Sequence, residues 1–125
     1  MSLPDTRKML NEARSFLTEA PKISKAITNQ VAKVNKYIAK HKKDDIYALE
    51  PDSTWEEMYE FDPVVIKGQF LYIIYNEVSK RGKKVKDRYN LNNEDSLGDA
   101  KWNLNWIVRS IKRGYKSEGQ IAPKF

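Results

Sequence analysis

Lys22, Lys25, Lys33, Lys36, Lys40 and Lys43 are the side chains whose spacing first suggests chemistry. Advancing about 100° per residue, these lysines fall within roughly 80° of arc on one helical wheel. Ile23, Ile27, Val31, Val34, Ile38 and His41 gather on the opposite side. At about 1.5 Å of rise per residue, the lysine face runs roughly 30 Å. Residues 21–43 hold seven lysines and no carboxylate, so nothing in the segment interrupts that face. Like charges three or four residues apart on a helix repel, and solvated faces ordinarily mix signs. A single-sign rail is thus mildly costly to the fold, and it suits neutralising successive phosphates of a polyanion. The bland alternative is a solvated helix face, and the rail counts only if the neighbouring acidic segment leaves it open.

A second basic run, Lys80-Arg81-Gly82-Lys83-Lys84-Val85-Lys86-Asp87-Arg88-Tyr89, reads as a linker around a glycine. Lys83, Lys84, Lys86 and Arg88 can drape along a phosphate backbone while the tyrosine stacks on a base or sugar. Short basic runs also keep ordinary loops soluble, so this run alone carries little. A third constellation is Trp102, Trp106, Arg109 and Arg113, at successive spacings of four, three and four. Leu97, Ala100, Leu104, Ile107, Val108 and Ile111 form the aliphatic face of the same segment. Tryptophan and arginine are enriched at binding hot spots, and a guanidinium stacks on indole. Either the chain's own termini cover these side chains, or another subunit docks there.

Catalytic chemistry has less to stand on. Glu56 and Glu60 share a helical face, and such carboxylates can hold Mg²⁺ for phosphoryl chemistry. Two carboxylates without a third ligand are weak evidence for a nuclease, and a solvated acidic loop is commoner. The chain has a single histidine, His41, and no cysteine, which excludes disulfides and thiolate metal sites. His41 falls on the apolar seam of its helix, where a capped, half-buried core residue is the usual outcome. The glycines are scattered and build no phosphate-cradling loop. The expectation is a non-enzyme with no cofactor and no metal.

Several elements must position these groups. Residues 3–20 read as a helix, with Pro4 in the first turn and Pro21 at the end. Residues 22–43 read as a longer helix that should stop at Asp44–Asp45, where the macrodipole disfavours anions. Residues 44–62 form an acidic connection, in which Ser53 or Thr54 can cap a short turn and Trp55 or Met58 reaches the core. Residues 63–81 are ambiguous. Asp62–Pro63 and Gly82 look like helix ends, whereas Val64-Val65-Ile66 and Phe70–Tyr75 look like strands joined at Lys67-Gly68-Gln69. Length and caps favour the helix. Residues 79–92 form the basic linker, and residues 94–113 a last long helix opened by Asn93 and stopped by Gly114. The tail from Tyr115 to Phe125 is expected to be extended. The fold expected is all-α, a small bundle of about four helices in one domain spanning residues 1–125.

Charge is unevenly spread. Residues 44–62 hold eight acids and no base, residues 63–125 hold thirteen bases against six acids, and the net charge is +6. Such segregation points to electrostatic work with a partner or within the fold. The longest apolar or aromatic run, Phe70 to Tyr75, is too short to cross a bilayer. The N-terminus lacks the apolar core of a signal peptide, so a cytoplasmic or nucleoprotein-particle location is expected. The leading expectation is a nucleic-acid-binding protein with little sequence specificity, of the kind that serves as a self-associating coat or packaging subunit. DNA and RNA are equally compatible. The alternative is a protein-interaction module, such as an inhibitor, immunity factor or assembly adaptor, docking through its Trp/Arg face.

Overall fold

The computed structural model describes residues 24–51, 57–78 and 81–125. The expected first helix, Lys22, the turn at Ser53 and Thr54, Trp55, Glu56 and Lys80 lie outside the described residues. Two helices flank five antiparallel strands in chain order: α1 (Lys25–Lys43), β1 (Ala48–Leu49), β2 (Met58–Phe61), β3 (Val65–Lys67), β4 (Phe70–Glu77), β5 (Lys83–Asn90) and α2 (Glu94–Ser117). The all-α bundle is therefore overturned; the described fold is α+β.

The helices begin and end for local reasons. Ser24 caps α1 by accepting the Ile27 N–H at 3.3 Å, and the basic last turn suits the negative end of the helix dipole. The chain leaves α1 where expected, at Asp44, and Asp45 takes a left-handed φ of 56°. Asn93 caps α2 through the Ser96 N–H, with Glu94 and Asp95 in the first turn. Gly114 is not the stop. It lies inside α2, where an added Cβ would run into the Tyr47 backbone carbonyl, so helix and β1 approach backbone to backbone.

The stretch expected to be a helix after Asp62 is a hairpin. β3 and β4 meet through Gly68-Gln69, and Gly68 adopts the positive φ of 60° that a two-residue loop of this kind needs. One edge of β4 pairs along its whole length with β5, from Phe70↔Asn90 to Glu77↔Lys83. The other edge receives β3 and then β2, and β1 pairs with β2 beyond. Pro63 separates β2 from β3 because it has no N–H to give to a ladder. At that break the Asn35 side chain on α1 replaces the missing strand partner. Its Oδ1 accepts the Val64 N–H at 2.7 Å and its Nδ2 donates to the Val64 carbonyl at 3.0 Å.

Alternation along the strands sorts their side chains. Leu71 and Ile73 on β4, with Tyr59 and Phe61 on β2, point into the core. Ile27, Val31, Val34 and Ile38 from α1, and Leu104, Ile107 and Ile111 from α2, meet them there. Among the described residues, no helix is long and apolar enough to cross a membrane.

Candidate nucleic-acid interface

The lysine rail is carried by α1 with its apolar seam turned inward. Ile27, Val31, Val34, Ile38 and His41 are buried, while Lys25, Lys33, Lys36, Lys40 and Lys43 are exposed. Among the described residues, the acidic segment reaches the rail through Asp44. Asp44 pairs with Lys40 at 3.3 Å, an i,i+4 contact whose lysine side chain is 46% exposed. Such an exposed pair is screened by solvent and holds the lysine only weakly. Asp44 is also engaged by the Tyr115 hydroxyl, which donates to it at 2.6 Å and, ahead of Lys40, holds its carboxyl below the ordinary carboxylate range. Asp62 turns away from the rail to Lys42 at 3.2 Å and Lys84 at 2.6 Å. Glu50 and Glu57 lie at 3.2 and 3.0 Å from the Tyr59 hydroxyl. Among the described residues, no ion pair engages Lys25, Lys33, Lys36 or Lys43.

The C-terminal residues add a wall to this face. The buried Tyr37 hydroxyl donates to the Pro123 carbonyl at 2.8 Å, and its ring meets Phe125 edge-on at 5.4 Å. Between the tail and the helix lies a cleft of about 330 Å³, with Lys33, Lys36, Lys40 and Lys124 around Tyr37 and Phe125. Four lysines thus line one recess beside two aromatic rings. Lys124, Tyr37 and Phe125 escaped the sequence reading because only the fold brings residues so distant in the chain together.

The basic run after Gly82 is strand, not linker. Lys83, Lys84, Lys86 and Arg88 are all exposed on β5, and the pleat places the last three on the sheet face turned away from the core. Lys84 is the one held by Asp62, and Lys84 leads in depressing the pKa of that carboxyl. Lys86 lies over the Tyr72 ring at 5.0 Å and Arg88 over the Phe70 ring at 4.6 Å. Through Lys42 and Lys84, Asp62 ties the end of α1 to the start of β5.

The four Trp and Arg positions do not form one surface. Trp106 is 9% exposed and packs into an aromatic cluster with Tyr59 at 5.1 Å, Phe61 at 5.4 Å and Tyr75 at 5.6 Å. The strands that the all-α reading lacked cover this indole. Trp102 remains 58% exposed, with the Arg109 guanidinium 5.6 Å from its ring centre. Arg113 donates to the Pro51 carbonyl at 3.3 Å and, with Lys112 and Lys116, rims a separate recess of about 590 Å³.

His41 is fully buried, with Nδ1 2.7 Å from the Ile46 carbonyl oxygen, so it caps the chain leaving α1. Glu60 sits on β2, and the described residues hold no group of three His, Asp or Glu placed to bind a metal ion. Comparisons with protein-family models, curated proteins and solved structures find no match for this chain.

Proposed function

We propose that this chain is a non-enzymatic nucleic-acid-binding protein that grips the phosphate backbone with little regard for sequence. The observation that carries the reading is the exposed, carboxylate-free lysine face of α1, where Lys25, Lys33, Lys36 and Lys43 keep their charge free of ion pairs among the described residues. Lys40 and Lys124 enlarge it at the cleft, and Lys83, Lys86 and Arg88 supply a second basic strip on β5. Each ammonium group that meets a phosphate releases condensed counterions, so affinity comes from charge and falls as salt rises. The face offers lysines around the exposed Asn29, a composition suited to phosphates, whose contacts carry no sequence information and so fit low sequence specificity.

Self-association is the second reading, favoured by the exposure of Trp102 beside Arg109. An indole and a guanidinium are the side chains most enriched at protein hot spots. It would let subunits line up on one strand, or serve an adaptor that binds protein instead.

A mobility-shift titration at 50 and 200 mM salt, run beside light scattering, tests the proposal. Affinity should fall by about a hundredfold or more between the two, the loss that several phosphate contacts entail. Equal affinity at both salts, or no shift at either, would remove the reading.

A further inference from the structure

The sheet face turned away from the core has a composition unlike a solvated surface. Alternation places Phe70, Tyr72 and Ile74 of β4 there, half-buried and outside the core cluster. Cross-strand register sets Lys67 opposite Phe70 on one side, and Arg88 opposite Tyr72 and Lys86 opposite Ile74 on the other. Both β5 cations lean diagonally by one pair, so that Arg88 covers Phe70 at 4.6 Å and Lys86 covers Tyr72 at 5.0 Å. The Phe70 ring under Arg88 limits the freedom of that guanidinium before any ligand arrives, which lowers the entropic cost of using it. Among the described residues, no ion pair engages Lys67, Lys86 or Arg88.

We infer that this face is a stacking platform for single-stranded nucleic acid: one base lies on the outer side of the Arg88 plane, which Phe70 backs, another takes the Tyr72 ring as Lys86 turns off it to a phosphate, and Lys67 takes a further phosphate. The inference rests on the polyanion reading above and narrows its substrate class. Bases stack on aromatic rings and on guanidinium planes alike, and every base has a π-face to offer. Phe70 and Tyr72 are two residues apart on one strand, which separates them by about 7 Å. Neighbouring bases in a duplex strand step by about 3.4 Å. Successive bases can therefore reach both stacking positions, over Phe70 and over Tyr72, only if the strand is unstacked and extended, which paired duplex resists. Positive charge on both flanks of the aromatic row fits a phosphate chain running along it, and disfavours a basic partner.

The test measures fluorescence anisotropy of the full chain with three probes at one salt concentration: labelled oligothymidylate, a duplex of matched length, and heparin, which has charge but no bases. Phe70→Leu/Tyr72→Leu keeps apolar bulk and removes the rings; Arg88→Lys keeps the charge and removes the plane. Wild type should prefer the single strand over the duplex. The double variant should weaken single-strand binding roughly tenfold or more, on the scale of lost base stacking, while leaving heparin binding unchanged. Should the double variant fail to fold, Arg88→Lys, at an exposed position, decides alone by a selective loss of single-strand affinity. Equal affinity for strand and duplex, or variants that lose nothing, overturns the platform and leaves the polyanion reading standing. Parallel loss on heparin assigns these residues to charge alone and also overturns it. Failure of wild type to bind any probe removes both.

Discussion

His41 shows what one buried side chain demands. Its Nδ1 lies 2.7 Å from the Ile46 carbonyl oxygen, so Nδ1 carries the proton and donates, and Nε2 is left bare. Nε2 is buried and meets no hydrogen-bond partner among the described residues. Protonating it would place a charged donor against Phe61 in the core. Burial accordingly lowers the His41 pKa from the ordinary 6.5, and Lys42 adds to the effect, while the Ile46 carbonyl and Glu60 oppose it. The unfolded chain binds the proton more readily than the folded one. The stability this provides is complete above pH 6.5 and is lost as pH falls through the lower folded value. Wild type should therefore melt at progressively lower temperature as pH falls below 6.5, and His41→Met should lose less over the same interval. Parallel melting curves for the two proteins would contradict this. The position was legible in the sequence, because His41 continues the seam of Ile27, Val31, Val34 and Ile38. Trp106 was not, since a helical wheel shows which residues share a side but not that α2 buries a second side against strands.

At the scale of elements, α1 and α2 were legible from their apolar spacing, and Asn93 caps α2 as its residue type suggests, whereas the Ser24 cap of α1 was not singled out in the sequence. The sheet was largely missed, for reasons visible in particular residues. Asp62–Pro63 looks like a helix start, yet Pro63 here divides two strands that share one edge of β4. The β-branched and aromatic run of Phe70–Tyr75 and the turn at Gly68 were the truer signals. In β5 the inward positions are Val85, Asp87 and Tyr89 against Lys84, Lys86 and Arg88 outward. An edge strand with so few apolar inward residues imitates a charged linker, and lysine on an edge also blocks unwanted pairing. The break at Pro63 depends on α1 through Asn35, whose two hydrogen bonds satisfy the buried Val64 backbone. Asn35→Ala strands both backbone groups and should cost about 2 kcal/mol in urea unfolding. A loss below about 0.5 kcal/mol would mean that another group satisfies Val64.

For the molecule as a whole, the described acids meet only part of the basic charge on α1 and β5. Among the described residues, Asp44 and Asp62 hold Lys40, Lys42 and Lys84, and no ion pair engages Lys25, Lys33, Lys36 or Lys43. The rail itself was legible from lysine spacing alone. Its cleft needed the tail folded back on Tyr37, and the β5 strip needed the sheet to set its direction. Asp62 ties the end of α1 to the start of β5 through Lys42 and Lys84, and places a carboxylate between the two basic surfaces. The most direct test of the central claim is the slope of log affinity against log salt, for wild type and for Lys33→Gln/Lys36→Gln/Lys43→Gln. Each phosphate contact contributes about 0.7–0.9 to that slope, so removing three should flatten it by about 2 to 3. An unchanged slope in the variant, or a flat line in wild type, would show that α1 does not hold the polyanion.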